Sequence, residues 1–152
     1  MQASEPLVRP LQAPEVRPLR GRVLRPGQPP EACVYPGDEL ESTLHLGIFD
    51  AQELVGIASL YWEPPPDRPA ARAVRLRGMA TLPEVRGRGF GRLLLEAGLE
   101  RVAERGGRLI WANARTSALG FYERFGFERV GEEFDIQGIG PHFLLKMPLR
   151  TL

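Results

Sequence analysis

The sequence has a single cysteine, Cys33, among its 152 residues. An intrachain disulfide is therefore impossible, which excludes the small secreted folds that disulfides hold together. The same scarcity is typical of proteins in the reducing cytoplasm, where we expect this chain to be located. A lone free cysteine usually behaves as a small apolar residue, so we predict that Cys33 is buried packing rather than a nucleophile.

Long apolar runs and an excess of one charge are also missing. No apolar run approaches the roughly 18 residues of a membrane-spanning helix, and the N-terminus lacks the pattern of a secretory signal. The formal net charge is +1, so no global positive field attracts nucleic acid or an anionic membrane. We therefore predict neither as a partner. Lys146 is the only lysine, and because arginine is so common, each arginine needs local support as a binding residue.

The remaining composition is that of an ordinary globular protein, with 43% apolar and 26% charged residues. The length predicts one domain over residues 1–152, with less order at its start, residues 1–13. Apolar periodicity predicts strands over 7–11, 44–49, 54–61, 73–82, 109–113, 127–134 and 142–147. It predicts helices over 14–25, 89–105 and 117–125, although Pro18 disturbs the first unless it lies in the first turn. A proline-rich surface loop is expected over 63–69. This order favours an α/β fold, a mixed sheet with helices on its faces.

A glycine-rich turn, Arg-Gly-Arg-Gly-Phe-Gly over residues 86–91, joins the fourth predicted strand to the second predicted helix. Such a turn exposes backbone N–H groups at the positive end of a helix dipole, which suits a diphosphate. A nucleotide-binding Walker loop would need a lysine here, and the dinucleotide fingerprint would need a small residue at Arg92. The alternative is that the glycines serve packing and the arginines are simply solvated.

Several motifs together resemble the GCN5-related N-acetyltransferases (GNAT). The Arg-x-x-Gly-x-Gly pattern over 86–91 resembles their coenzyme A loop, and Asn113 with residues 117–127 resembles their second motif. Four blocks, over 24–33, 76–81, 113–117 and 139–142, resemble the bacterial glyphosate N-acetyltransferase group more closely. The likeness covers nearly the whole chain from about residue 15. The loop here is more glycine-rich than that group requires.

The resemblance implies a single-domain fold whose mixed, mostly antiparallel sheet has splayed central parallel strands and flanking helices. It implies acetyl-CoA as the cofactor and direct attack of an amine on the thioester. By resemblance, His142 is the general base, Tyr122 is the general acid, and Arg25, Arg77 and Arg115 hold an anionic substrate. It assigns cofactor binding to Met79, Ala80, Thr81, Arg86, Gly87, Arg88, Gly89, Phe90, Gly91, Arg92, Asn113, Ser117 and Phe121. No metal site is assigned.

The candidate acid and base each have a structural alternative. Attack on a thioester needs a neutral amine, and histidine is the ordinary base near neutral pH. His45 lies inside an apolar strand and is predicted to be structural, whereas His142 follows a proline and opens a strand, so its ring can face a cleft. Tyr122 stands beside Phe121 on a helix, where an aromatic pair is often core. A phenol is nonetheless a suitable acid for a departing thiolate.

The three arginines carry the prediction about the acceptor. Arg77 lies inside the alternating strand, on the face of Met79 and Thr81, and a guanidinium at that depth needs an anionic partner, either a substrate or an internal carboxylate. Arg115 follows the end of a buried strand, where α/β sheets place ligands. Arg25 ends the first helix and would by default face solvent. Three arginines would favour a doubly charged phosphonate or phosphate.

The sequence thus predicts an N-acetyltransferase acting on a small amine that also bears acidic groups. Three alternatives remain: a peptide or protein N-acetyltransferase of the same fold, a non-catalytic acetyl-CoA-binding domain, and a nucleic-acid-binding module suggested by the RGG-like loop. The last is disfavoured because true RGG segments are repeated and low in complexity. The physiological amine and the oligomeric state are not set by the sequence, which is compatible with a homodimer.

Overall fold

The computed structural model describes residues 5–149, which form one seven-stranded sheet with helices. The elements are β1 (Leu7–Leu11), α1 (Ala13–Leu19), β2 (Leu44–Asp50), β3 (Glu53–Trp62), β4 (Ala73–Thr81), α2 (Phe90–Glu104), β5 (Leu109–Arg115), α3 (Leu119–Phe125), β6 (Glu128–Ile136) and β7 (Gly140–Pro148). The strands lie in the order β1-β2-β3-β4-β5-β7-β6. The predicted mixed α/β fold is confirmed. No helix within residues 5–149 is long and apolar enough to cross a membrane.

Most of the strand pairing is antiparallel. It joins β1 with β2, β2 with β3, β5 with β7 and β6 with β7. The parallel pair is β4 with β5, matched from Ala73 opposite Leu109 to Arg75 opposite Trp111. Several strands are longer than predicted. β5 continues to Arg115, so this arginine lies on the strand rather than after it, and β7 begins at Gly140, so His142 is its third residue.

The first helix changes character after Pro18. Pro18 lies inside α1, beyond the first turn that would have accommodated it without disturbance. Because proline lacks an N–H and its ring crowds the preceding turn, it interrupts regular α-helical hydrogen bonding. The α-helix ends at Leu19 and continues as a wider π-helical turn over Arg20–Leu24. The predicted helix over 14–25 is therefore two successive helical segments.

The second helix matches its sequence pattern. Leu94, Leu95, Gly98 and Val102 are buried, as the predicted apolar face requires. A methyl group at Gly98 would lie 3.0 Å from a Leu60 methyl carbon, so the glycine allows the helix to approach β3 closely. The helix ends at Glu104, one residue before the predicted end at 105, and two glycines terminate it: Gly106 has φ +88°, and the Gly107 N–H donates to the Val102 carbonyl at 2.8 Å.

The described chain forms two compact units. The first comprises residues up to Tyr61 together with Leu76–Arg101, and its buried residues include Val16, Leu46, Ile48, Ile57 and Leu94. The second comprises Trp62–Arg75 and the residues from Val102 onward, with a cluster formed by Ala73, Trp111 and Leu144. The single-domain assignment stays a prediction. Part of the segment expected to be less ordered, residues 1–4, lies outside the described residues, while Leu7–Leu11 form β1. Cys33 is buried, as predicted.

Candidate functional site

In the first unit, the glycine-rich turn between β4 and α2 owes its glycines to backbone conformation. Gly87 and Gly89 have φ of +83° and +82°, a region that disfavours every side chain with a Cβ. A Cβ built on either glycine would meet no protein atom within 4 Å. The two glycines are therefore not required for internal packing, which argues against the structural alternative for this loop.

The start of α2 offers backbone donors to an anion. The first bond at this end runs from the Leu93 N–H to the Gly89 carbonyl at 3.1 Å, so the N–H groups of residues 90–92 precede it and lack intrahelical acceptors. The positive end of a 15-residue helix dipole lies at the same place. Buried Phe90 anchors this end of the helix. The donor set suits the diphosphate of coenzyme A.

The loop arginines are less available than their number suggests. Arg88 forms an ion pair with Asp50 at 3.2 Å and lies over the Phe90 ring, and Arg92 pairs with Glu96 one helical turn later at 2.8 Å. Arg86 is exposed. The backbone N–H groups, rather than arginine charge, are consequently the feature of residues 86–92 that best suits an anion.

The strand that precedes the loop is irregular at Gly78. This residue has φ +66°, and a left-handed residue breaks the two-residue alternation of a strand. The prediction that Arg77, Met79 and Thr81 share a face assumed regular alternation, so it does not carry across this position. Arg77, Met79 and Thr81 are half-buried, and Ala80 is buried.

Arg25 and Arg77 are brought together around an aromatic ring that the sequence did not single out. The guanidinium carbon of Arg77 lies 4.1 Å from the centroid of Tyr35, and that of Arg25 lies 5.8 Å from the same centroid. Arg20 contributes a third guanidinium at 4.0 Å. By default Arg25 was predicted to face solvent. In the structure it is instead half-buried and lies beside Tyr35.

Behind this ring lies a buried polar cluster of Arg20, Asp38, His45, Ser59 and Tyr61. The Arg20 guanidinium donates to both Asp38 carboxylate oxygens, at 2.6 and 3.0 Å, and the Tyr61 hydroxyl donates to Asp38 Oδ1 at 2.6 Å. Burial disfavours the Asp38 carboxylate, but these hydrogen bonds outweigh it and hold the pKa of Asp38 below its ordinary value. Burial and the bond to Asp38 raise the pKa of Tyr61 to about 12.

His45 belongs to this cluster through both of its ring nitrogens. Nε2 lies 2.9 Å from the Asp38 carbonyl oxygen, which can only accept, so Nε2 carries a proton. Nδ1 lies 2.7 Å from the Ser59 hydroxyl, which accepts in turn from Arg20. In the neutral ring Nδ1 accepts from Ser59, and both nitrogens are committed. This arrangement supports the structural role predicted for His45.

In the second unit, Arg115 and His142 lie directly opposite each other on β5 and β7. Residues in this antiparallel register share a face of the sheet, with Cβ atoms about 4.5–5.5 Å apart. Asn113 and Leu144 form the next pair on that face, and Phe134 of β6 is opposite His142 on its other side. The Phe134 and His142 rings are stacked with centroids 6.1 Å apart. The structure thus brings together three of the predicted residues.

The Gly-Pro-His sequence orients the His142 ring. Gly140 has φ +121°, which favours glycine, and Pro141 restricts the backbone between it and the histidine. The Gly140 carbonyl oxygen lies 2.7 Å from Nδ1 of His142. Since a carbonyl can only accept, Nδ1 carries the proton, and the lone pair of the neutral ring is on Nε2. No residue in the range 5–149 is hydrogen-bonded to Nε2, so this nitrogen is the one able to act as a base.

Asn113 presents a buried acceptor on the same face. Its Oδ1 is shielded from solvent and has no hydrogen-bond partner among the described residues. A buried carbonyl oxygen without a donor is uncommon because it loses the bond that it had with water. This oxygen therefore suits a donor from a bound molecule, such as an amide N–H of a cofactor, in agreement with the predicted cofactor role.

The remaining predicted residues lie around α3. Ser117 is exposed in a 3-10 turn, Thr116–Ala118, that precedes the helix, so the predicted helix over 117–125 begins as this tighter turn. The Tyr122 ring makes edge contacts with Phe121 and Phe127, at centroid distances of 5.1 and 5.5 Å. Burial raises the pKa of Tyr122 to about 12, so its phenol stays protonated at any working pH.

Comparison with known proteins places these features in a family. The model of the acetyltransferase (GNAT) family matches residues 17–127. The chain is 41% identical over 133 residues to the uncharacterized N-acetyltransferase YitI of Bacillus subtilis, with 88% of this chain and 89% of that protein covered. Its structure is similar to that of Escherichia coli ElaA, with a TM-score of 0.76, 20% identity, and coverage of 93% of this chain and 99% of that one.

A further solved structure bears on the cofactor. An aminoglycoside 6′-N-acetyltransferase complexed with coenzyme A has a TM-score of 0.71 and 15% identity, covering 95% of this chain and 97% of its own. At these identities the two structural likenesses show the fold alone. The family-model match ends before β6 and β7, so it does not include His142.

Proposed function

Because this chain belongs to the acetyltransferase (GNAT) family and is an acetyl-CoA-dependent N-acetyltransferase, we propose that its acceptor is a small amine that also carries a phosphonate, phosphate or carboxylate group. The observation that carries the proposal is the pairing of Arg115 with His142 on one face of the sheet. A guanidinium beside the base provides an anchor for an acidic group at a short distance from the amine that the base would deprotonate.

The proposed binding roles are divided between residues of the two units. In the first unit, backbone N–H groups within residues 87–92, foremost those of residues 90–92, would bind the cofactor diphosphate, and Met79, Ala80 and Thr81 would contact its pantetheine arm. Arg25 and Arg77 bind the acidic group of the acceptor. In the second unit, Asn113, Ser117 and Phe121 contact the cofactor, and Arg115 assists the anchoring of the acceptor. Acetyl-CoA, when bound, supplies the thioester.

His142 and Tyr122 handle the protons. Nε2 of His142 takes a proton from the acceptor's ammonium group, and the Gly140 carbonyl holds the ring in the tautomer that leaves Nε2 able to accept. Tyr122 donates its hydroxyl hydrogen toward the departing sulfur. With its pKa raised to about 12, above that of an ordinary thiol, Tyr122 stabilises a thiolate by hydrogen bonding more readily than by complete proton transfer.

On the strength of the resemblance, we also propose that the chain belongs with the glyphosate N-acetyltransferase group. The cytoplasmic location, which was predicted from the single cysteine, and the compatibility with a homodimer stay predictions. A peptide or protein acceptor is the main alternative. The arginines favour an acidic acceptor over a cationic one such as a lysine side chain. An acetyl-CoA-binding domain without turnover would release no coenzyme A with any amine.

The test is an acceptor panel measured by release of coenzyme A. Amino-phosphonates, amino acids, glyphosate, simple alkylamines, spermidine and a lysine-containing peptide are compared at equal concentration. We expect amino-phosphonates or phosphate-bearing amines to have the highest kcat/KM. Inorganic phosphate or sulfate should compete with the acceptor and not with acetyl-CoA. A best acceptor that is spermidine or the peptide contradicts the proposal.

Arginine variants make the test specific. Arg77→Lys and Arg115→Lys keep the charge but lose the planar two-point donor, so the KM for an anionic acceptor should rise about tenfold to a hundredfold. The KM for an alkylamine should change little. Arg105→Lys, at an exposed position after α2, is the matched control and should behave like the wild type. An unchanged ranking of acceptors in both variants would exclude an anion-anchoring role.

A further inference from the structure

Tyr35 is a buried aromatic residue to which neither the family resemblance nor the mechanism assigns a role. It follows a 3-10 turn, Pro30–Cys33, and its ring is surrounded by guanidinium groups. Its backbone N–H donates to Asp38 Oδ2 at 2.9 Å, and the Asp38 N–H donates back to the Tyr35 carbonyl at 3.1 Å. The main chain of Tyr35 is thereby tied to the buried Arg20–Asp38 pair.

Close packing holds the Tyr35 ring against the Arg20–Asp38 pair. Arg20 lies 4.0 Å from the ring centroid, and its bidentate bonds to Asp38 fix the guanidinium. A methyl group at Gly78 would lie 3.1 Å from Arg20 Nε and 3.2 Å from Tyr35 Cε2, so β4 passes close to the pair and a side chain here would have to displace one of them slightly. The adjacent residue on β4 is Arg77, whose guanidinium lies 4.1 Å from the same centroid.

Arg20 differs from Arg25 and Arg77 because its charge is balanced by a buried carboxylate. The Asp38 carboxylate neutralises Arg20, so this pair adds no net charge next to the ring. Arg25 and Arg77 are the other two guanidinium groups beside the ring, at 5.8 and 4.1 Å from its centroid. The negative face of an aromatic ring attracts a guanidinium and opposes the repulsion between neighbouring guanidinium groups. The ring is also stiff, since a buried tyrosine has only two side-chain torsions.

We propose that Tyr35 is a positioning and specificity-determining residue, whose ring holds the guanidinium groups of Arg77 and Arg25 in place for the acidic group of the acceptor. This inference rests on the proposed function, because it needs an anionic acceptor. The aromatic ring does this, not the hydroxyl. Arg20 and Asp38 act one step further back, by fixing the ring.

The first experiment compares Tyr35→Leu with Tyr35→Phe. Acceptor kinetics are measured with an amino-phosphonate and with an alkylamine, together with coenzyme A affinity and Tm. Tyr35→Leu should raise the KM for the amino-phosphonate about threefold to thirtyfold, with kcat and the alkylamine KM little changed. Tyr35→Phe keeps the ring and should restore the wild-type KM. Equal behaviour of the two variants, or a matching rise in both acceptors' KM, would overturn the role of the ring.

A second set of variants covers the case in which Tyr35→Leu does not fold. Difluoro- and pentafluorophenylalanine at position 35 retain the shape of the ring while progressively weakening the negative potential of its face. The KM for the amino-phosphonate should increase with each step of fluorination, while the alkylamine KM should stay constant. A KM that is independent of fluorination contradicts the inference.

The arginine variants distinguish the two proposals. If Arg77→Lys shifts the acceptor ranking but the Tyr35 series does not, the acceptor assignment stands and the role of Tyr35 is wrong. If neither Arg77→Lys nor Arg115→Lys changes the ranking, the proposed acceptor class itself is wrong.

Discussion

The surroundings of His45 and His142 differ in one respect that separates a structural histidine from a candidate base. Both side chains are buried, with 4% of the residue surface exposed, and both have a ring nitrogen at a backbone carbonyl oxygen. His45 uses its second nitrogen for Ser59, whereas Nε2 of His142 has no partner within residues 5–149. Burial alone therefore does not distinguish them, and the commitment of the second nitrogen does.

The largest effect is expected from removing the imidazole of His142. His142→Ala removes the proposed base, so kcat should fall about 10²- to 10⁴-fold while coenzyme A affinity changes little.

His45→Ala is the matched comparison. It leaves the Ser59 hydroxyl and the Asp38 carbonyl without their partner, so stability should fall by about 1–3 kcal/mol while kcat stays close to that of the wild type. Urea unfolding and steady-state kinetics measure both. A His142→Ala variant that keeps most of its rate, or a His45→Ala variant that loses it, would reverse the assignment.

The next effect concerns the stability of the His45 region. Asp38→Asn leaves the buried Arg20 guanidinium without its counter-charge, so the free energy of unfolding at pH 7 should fall by about 3–5 kcal/mol. The pKa of Asp38 is lowered in the folded protein. Its stabilisation is therefore complete above the ordinary value near 4 and is lost as the pH falls through the lower, folded pKa.

The stability difference between wild type and Asp38→Asn should consequently shrink below about pH 4. Asp67→Asn is the control, because it removes an ion pair with Lys146 of similar length, 2.7 Å, in a more exposed position. It should change stability much less. Equal losses in the two variants would mean that the burial of the Arg20–Asp38 pair has no special consequence.

The smallest effect is expected for the two tyrosines whose pKa is raised to about 12. Tyr122→Phe preserves the contacts with Phe121 and Phe127 and removes the proposed donor to the thiolate, so kcat should fall roughly tenfold. Tyr61→Phe removes a hydroxyl that donates to Asp38, so it should lower Tm with a normal kcat. Steady-state kinetics and thermal unfolding separate the two. A lower Tm with normal kcat in Tyr122→Phe would support a core role.

Prediction from the sequence was strongest where the signal is local. The loop over 86–91, the helix stop at Gly106 and the strand at Leu7–Leu11 follow from glycine positions and short-range periodicity, and the structure contains all three. The sequence did not predict the π-helical turn after Pro18 or the irregular strand geometry at Gly78. Both depend on how a segment packs, and a proline or glycine in the sequence indicates only that regular geometry is in doubt.

The sequence by itself determined the fold class, the family resemblance and a short set of candidate residues, because motifs and periodicities are carried by neighbours along the chain. Only the tertiary structure decided which side chains meet. Tyr35 gave no local signal, and its contacts with Arg20 and Arg77 join residues far apart in sequence. The contrast between His45 and His142 likewise depends on partners from other strands and turns. Such contacts form only when the folded backbone brings separate segments within hydrogen-bonding distance.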